Sequence, residues 1–144
     1  MAATNEEYIT ASTFKVNIEG MQAQNFDTVD GIGVAFEDIA QQAEKENGMV
    51  NRPGRFTASD VTLTRRFKKD KEFHEWVKSL KQGKKVRRSG SIIVMDDEQK
   101  EVFRYNFTGA WPKHWSGPTL SKNREGNGIL LERIVLSVQD IEMA

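Results

Sequence analysis

Residues 105–118 read YNFTGAWPKHWSGP, and the reading of this stretch decides the fold. Tyr105, Asn106 and Phe107 continue the alternation of VFRYNF (102–107), which has the period of a strand. Gly109, Pro112 and Gly117 then interrupt it, and proline has no N–H to give to a ladder. The expectation is a strand that ends at Phe107, followed by an irregular crossing to the last strand. Trp111 and Trp115 lie in that crossing. Each ring can bury up to roughly 200 Å², so the pair reads as a structural lid over exposed core.

Working outward, SIIVM (91–95), the turn DDEQK (96–100) and VFRYNF form a hairpin signal. Downstream, a loop over 119–128 ends in GNG (126–128). ILLERIVLSVQD (129–140) then reads as one long final strand with Leu130, Ile134, Leu136 and Val138 on one face, interrupted by Glu132. Upstream, Phe14, Val16 and Ile18 alternate with polar residues until Gly20. Residues 26–42, FDTVDGIGVAFEDIAQQ, read as a bent or hairpin-paired extended segment with a bulge at Gly31 or Gly33; a helix over 34–42 is the alternative. Residues 43–56, AEKENGMVNRPGRF, read as a loop, from the turn dipeptides Asn47-Gly48 and Pro53-Gly54. A loop of this length is usually functional or disordered. Val61, Leu63 and Arg65 share one face of the next strand, DVTLTRRF.

Residues 70–82 are the clear helix. Phe73, Trp76, Val77 and Leu80 form one apolar stripe, Asp70 fits an N-cap and Gly83 a stop. One helix beside six or seven antiparallel strands predicts a mainly β, α+β fold built as a barrel or sandwich. The length of 144 residues predicts a single domain over 1–144, with residues 1–12 as a flexible N-terminal arm. The chain has no cysteine, which excludes disulfides and thiolate chemistry. Its start, MAATNEEYIT, has no secretory pattern, and runs such as IIVM (92–95) are too short to cross a bilayer.

The net charge is zero but unevenly spread. Residues 1–50 carry two lysines against nine acids, a balance of −7; residues 51–90 carry thirteen cations against four acids, +9; residues 91–144 carry six against eight, −2. A basic middle fits nucleic acid, an anionic surface or an acidic protein face, and this chain itself supplies an acidic face. The runs RRFKKDK (65–71) and KQGKKVRR (81–88) flank the helix, with Phe67 among the cations of the first. They read first as a solvated or subunit-contacting face. A nucleic-acid surface is the lesser reading, because the whole-chain charge is zero.

Candidates for chemistry are few. His74 reads as a solvated helix residue, and His114 has no visible nucleophile beside it. Two histidines without cysteine make poor zinc ligands. Asp96, Asp97 and Glu98 read as a polar turn rather than a cation site. GIG (31–33) matches no phosphate-loop spacing. No catalytic residue, metal or cofactor is therefore expected. The strand edges pose the remaining question, since Pro53, Pro112 and Pro118 all read as loop residues and none guards an edge. Edges that pair with another copy are the simplest answer.

The order of these motifs resembles the inner tube proteins of contractile tails, from myophage tails to extracellular contractile injection systems. The resemblance covers nearly the whole chain. It runs through FKVNIEG (14–20), the Phe26–Gly31 turn, the Pro53-Gly54 loop end, VTLTRRF (61–67), the helix with Phe73 and Trp76, the Asp96-Asp97 hairpin, FTGAWPKHWSGP (107–118) and ILLERIVLSVQD. It departs at QQAEKENG (41–48), where the family often has a glycine-rich stretch, and at Ser137–Gln139, where a histidine and an acid are common.

The resemblance implies the tail-tube fold: two antiparallel sheets in a small barrel or sandwich, whose strands join those of other copies into the inner β-barrel of a hexameric ring. Rings stack into a hollow tube driven by sheath contraction through a target envelope. Implied partners are further copies, a sheath protein, baseplate, spike and terminator proteins, and lumen cargo, either effector protein or DNA. Implied localisation is assembly in the bacterial cytoplasm and a mature place in the phage tail or injection particle. The alternatives are a secreted hexameric ring of type VI secretion and a nucleic-acid-binding β-barrel. Contacts between subunits or rings are expected from the 43–56 loop, at Glu44, Glu46, Asn47, Met49, Arg52 and Arg55, and from Lys84 and Lys85. Phe14, Val16, Phe73, Trp76, Leu80, Trp111 and Trp115 are expected as core or lid.

Overall fold

The structure is a computed structural model that describes residues 13–21, 26–42, 48–67, 71–120, 122 and 129–144. The 1–12 arm, Glu44, Glu46, Asn47, Asp70 and the GNG turn lie outside the described residues. The elements are β1 (Thr13–Ile18), β2 (Thr28–Asp30), β3 (Val34–Gln42), β4 (Met49–Ala58), β5 (Val61–Arg66), α1 (Glu72–Lys81), β6 (Arg88–Met95), β7 (Glu101–Ser116), β8 (Leu131–Ser137) and β9 (Asp140–Met143). All pairings are antiparallel.

Contrary to the sequence expectation, β7 does not stop at Phe107. It runs through Gly109 and Pro112 to Ser116 and belongs to two sheets. Its first half pairs with β6 on one side and β9 on the other, and β1 lies beyond β6. Its second half pairs with β8, followed by β5 and β2. The turn between sheets is at Gly109, whose φ of 64° lies in the left-handed region that glycine enters without strain. Opposite it, the predicted single final strand also breaks. β8 ends at Ser137, the Gln139 N–H donates to the Thr108 carbonyl (2.8 Å), and β9 continues on the other half of β7.

Pro112 is tolerated because that half of β7 pairs only with β8 among the described residues, and a register shift falls between Pro112 and His114. A proline beside a bulge on a one-sided strand gives up no ladder bond that the sheet needs. The ring is itself buried opposite Leu136.

The two sheets face each other, and β1 and β2 end the strand path without closing it into a barrel. Alternation sends Val16, Ile18, Ile92, Phe107 and Ile141 inward from one sheet, and Val61, Leu63, Ile134 and Leu136 from the other. α1 completes the core. Phe73 and Trp76 are buried and Val77 and Leu80 half-buried, as the helical stripe predicts. Lys71 holds the N-cap position without a side-chain bond. At the other end Gly83 (φ 84°) donates its N–H to the Leu80 carbonyl, so the stop at Gly83 is as expected. The 96–100 turn is tied by Asp96, whose Oδ1 accepts the N–H groups of Glu98 (2.9 Å) and Lys100 (3.0 Å).

The largest departure is residues 43–56. From Met49 onward they form not a loop but β4, paired along β3. The bent-strand reading of 26–42 holds and the helix over 34–42 does not. Together β2–β3 and β4–β5 make one long hairpin, kinked at Gly31, where the Ser59 N–H donates to the Gly33 carbonyl (2.9 Å). Pro53 and Gly54 sit inside it, beside a register shift between Phe36 and Asp38.

Gly90 marks the closest approach in the first sheet. A Cβ there would lie 2.5 Å from both the Asn17 carbonyl oxygen and the Phe107 ring. Gly90→Ala is therefore expected to destabilise the fold by about 2 kcal/mol or more, read as a fall in thermal midpoint. Gly83→Ala, where no atom lies within 4 Å of the new Cβ, is expected to carry only the backbone penalty of positive φ, about 1 kcal/mol.

Candidate assembly surfaces

The centre of the molecule holds a charge pair. Arg65 and Glu132 are directly opposed across β5 and β8, and both side chains point inward. Arg65 Nε donates to Glu132 Oε1 at 2.6 Å, with the residues only 1% and 4% exposed. The other carboxylate oxygen accepts the indole N–H of Trp115 at 3.0 Å. The Arg65 guanidinium lies over the rings of Phe26 (5.5 Å) and Phe73 (5.1 Å), which meet edge to face. Ladder, helix and aromatic segment are thus joined through one ion pair. The "interruption" of the final strand's apolar face by Glu132 is this pair. Arg65 on the inward side of Val61 and Leu63 was the signal in the sequence that could have matched it.

The tryptophans take three roles. Trp76 is buried, donates its N–H to the Val86 carbonyl (2.9 Å) and carries the Arg88 guanidinium over its ring at 5.2 Å. Trp115 is half-buried and fastened to Glu132. Trp111 is half-buried against the core, at one wall of a groove shared with Leu80 and Val86. Both rings of the 105–118 stretch therefore cover core, but from a paired strand. Phe14 is half-buried against the core and Val16 fully buried.

The surface most unlike that of a finished monomer is the β3–β4 hairpin. Register and alternation put Val34, Phe36 and Phe56 on one face and Ile39 and Val50 on the other. All five are exposed, Phe36 by 62% and Phe56 by 50%. Phe36 and Phe56 are directly opposed, with ring centroids 6.3 Å apart. Ile39 lies across Gly54, where a Cβ would come within 2.7 Å of it, so the Pro-Gly dipeptide makes room for an apolar side chain inside a strand. Arg52 and Arg55 are exposed on β4, with Met49 at its start. Lys84 and Lys85 are exposed in the 84–87 segment after α1, on another part of the surface. The expected contact residues thus fall in two places, and sequence reading expected no contact from the five exposed apolar residues of the hairpin.

Ingredients for catalysis do not converge. His114 Nε2 lies 2.7 Å from Ser116 Oγ, and both are outward neighbours on β7. His74 packs edge-on against Trp115 at 5.8 Å. Arg104, hydrogen-bonded to the Glu101 carboxyl, holds that carboxyl below its ordinary value; both groups are exposed. Among the described residues no group of histidine and carboxylate side chains could hold a metal, and no helix is long and apolar enough to cross a membrane.

Comparison with known proteins gives a consistent picture. The family model for the T4-like virus tail tube protein gp19 matches residues 10–142. No curated protein sequence matches the chain. Among solved structures, the chain is similar to one in the PVC sheath–tube complex of an extracellular contractile injection system, in its extended state. The TM-score is 0.84 at 19% identity, over 100% of this chain and 99% of that one. It is similar to a chain of the anti-feeding prophage tube-terminating cap, with a TM-score of 0.80 at 17% identity over 100% and 99%. It is less similar to a type six secretion system protein, with a TM-score of 0.53 at 14% identity over 91% and 83%.

Removing one member of the buried pair leaves a charge without its partner. Arg65→Met is expected to cost about 3–5 kcal/mol, and Arg65→Met/Glu132→Leu to recover most of it. Urea midpoints of the two variants test this, and equal midpoints would show that the pair does not hold the sheets. Trp76→Ala is expected to cost about 3–5 kcal/mol and half-buried Trp111→Ala roughly half as much; the ratio of their thermal shifts checks the assignment.

Proposed function

The chain belongs to the T4-like virus tail tube protein family, and from that premise we propose that its copies close into rings that stack as the inner tube of a contractile injection particle. The observation that carries this is the β3–β4 hairpin. A two-stranded hairpin is marginal in water by itself, yet this one exposes apolar side chains on both of its faces. Such exposure marks a surface made to be covered. In a ring of identical copies, each hairpin lies against the next copy, and edge strands β1 and β2 find partners that the single chain lacks. Contacts that close around the ring but stay open along its axis generate a tube.

On this reading the role is mechanical rather than catalytic. The tube holds its lumen open for cargo, and a contracting sheath drives it through an envelope. The partners are a sheath, a terminator and a baseplate, in line with the complexes in which the similar chains were solved. Arg52, Arg55 and Met49, with Glu44, Glu46 and Asn47 before them, contact the neighbouring copy or ring. The acidic residues 1–50 meet the basic 65–88 region, including Lys84 and Lys85, across an interface. Assembly takes place in the bacterial cytoplasm, before the particle matures. A secreted ring of the type VI class is the second reading. The lower structural likeness to the type six protein, 0.53 against 0.84, ranks it below.

Electron microscopy of the purified protein tests the proposal. Rings or hollow tubes of uniform diameter are the expected outcome. Phe36→Ser/Phe56→Ser is expected to leave the thermal midpoint nearly unchanged, since substitutions at exposed positions usually fall within about 0.5 kcal/mol, while abolishing rings and tubes. A variant that still assembles would remove the hairpin from the interface.

A further inference from the structure

A second surface is left uncovered, on the side of the molecule that carries α1. Leu80 at the end of the helix, Val86 in the following segment and Trp111 on β7 form a shallow apolar groove of about 190 Å³, with Lys85 and Arg87 on its rim. Lys78, Lys81 and Lys84 lie close by in the chain and are exposed. None of these five cations makes an ion pair with a described residue. Apolar floor and unpaired basic rim together call for an acidic segment with an aromatic or aliphatic anchor.

We propose that the groove receives residues 5–9, NEEYI, of a neighbouring copy. This rests on the tube reading above. The match is chemical. Glu6 and Glu7 supply two carboxylates for the lysine and arginine rim, and Tyr8 and Ile9 follow directly as apolar anchors. The match is also one of length. Thr13 pairs with Met95, at the far end of β6 from the groove, and β6 runs from there back to Arg88. At ~3.3 Å per residue that strand alone separates them by about 23 Å. The backbone from Tyr8 to Thr13 spans at most about 17 Å. A copy's own NEEYI therefore falls short of its own groove, and the groove is free for the segment of the next copy. Each copy gives one segment and receives one, which closes around a ring in the same way as the hairpin contact. The uneven charge of the sequence then acquires a geometry, with acidic starts seated on basic helix ends.

The absence of cysteine makes the test direct. Full-length Tyr8→Cys/Val86→Cys is oxidised, run on a non-reducing gel and imaged in parallel by electron microscopy. A ladder of covalent oligomers is expected, absent from a Tyr8→Cys/Asn51→Cys control and weakened at least tenfold when Glu6→Lys/Glu7→Lys is added. Restoration of the ladder by adding Lys84→Glu/Lys85→Glu to that charge-reversed variant is the supporting counterpart. Rings without a ladder would overturn the docking while leaving the tube reading intact, and would give the groove to another acidic protein. A fast-migrating monomer with an internal link would also overturn it, since the segment would then serve its own copy. Neither rings nor a ladder would sink both readings together.

Discussion

A guanidinium taken out of water must keep its carboxylate, and that requirement at Arg65 fixes much of this molecule. The two residues are direct cross-strand neighbours, so their pairing holds β5 and β8 in one register. A slip of one residue would turn one of the two charges outward, and the inward apolar residues of its strand with it. The remaining carboxylate oxygen fixes Trp115, and through it the second half of β7. The guanidinium face receives Phe73, and through it α1. Replacement of such a pair by apolar residues is often neutral or stabilising. Its value here is that it admits only one arrangement of three strands and a helix.

That arrangement depends in turn on β7 serving two sheets. A strand can pass from one sheet to another only where its ladder partners change together. Gly109 and the Val138–Gln139 break lie opposite each other for this reason, with the Gln139–Thr108 bond closing the corner. The folded unit is then a pair of sheets with α1 against the core and the long β2–β5 hairpin drawn out beyond it. Interior and exterior are finished to different degrees. Inside, hydrogen bonds and packing are well satisfied, with Arg88 Nε the buried side-chain polar atom left without a partner among the described residues. Outside, the hairpin shows aromatic and branched side chains to water on both faces.

Much of this was legible in the sequence where local period and core position agree. The α1 stripe, the 96–100 turn and the inward faces of β1, β5 and β8 all follow from alternation or helical spacing. The errors share one cause, which is reading proline and glycine as stops. Pro112 and Pro53 lie within strands because each falls beside a bulge on a strand paired on one side, a fact about neighbours that no local window contains. Residues 43–56 read as a loop because of the turn dipeptides Asn47-Gly48 and Pro53-Gly54. The apolar residues Val50 and Phe56 share no period, because the register shift near Glu37 puts them on opposite faces. Glu132 was seen as a blemish on an apolar face because its partner is sixty-seven positions away. The family resemblance rested on motif order rather than local reading, which is why these errors left it intact.

The division between a finished interior and an unfinished exterior has a mechanical consequence. A tube that transmits thrust must not deform at the joints between its parts. Side-chain contacts between rigid bodies yield by rotamer changes, whereas backbone ladders and interlocked apolar faces yield only by breaking. A subunit that exposes open strand edges and a two-stranded hairpin with apolar side chains on both faces places the stiffer kinds of contact at the joints. The charge pair performs the complementary task within the subunit, since a core that could repack would soften the wall from inside. The same chain therefore uses the buried Arg65–Glu132 pair for uniqueness of fold and leaves apolar side chains of β3 and β4 uncovered, an arrangement that makes little sense for a solitary molecule and follows directly for one whose folding is completed by its neighbours.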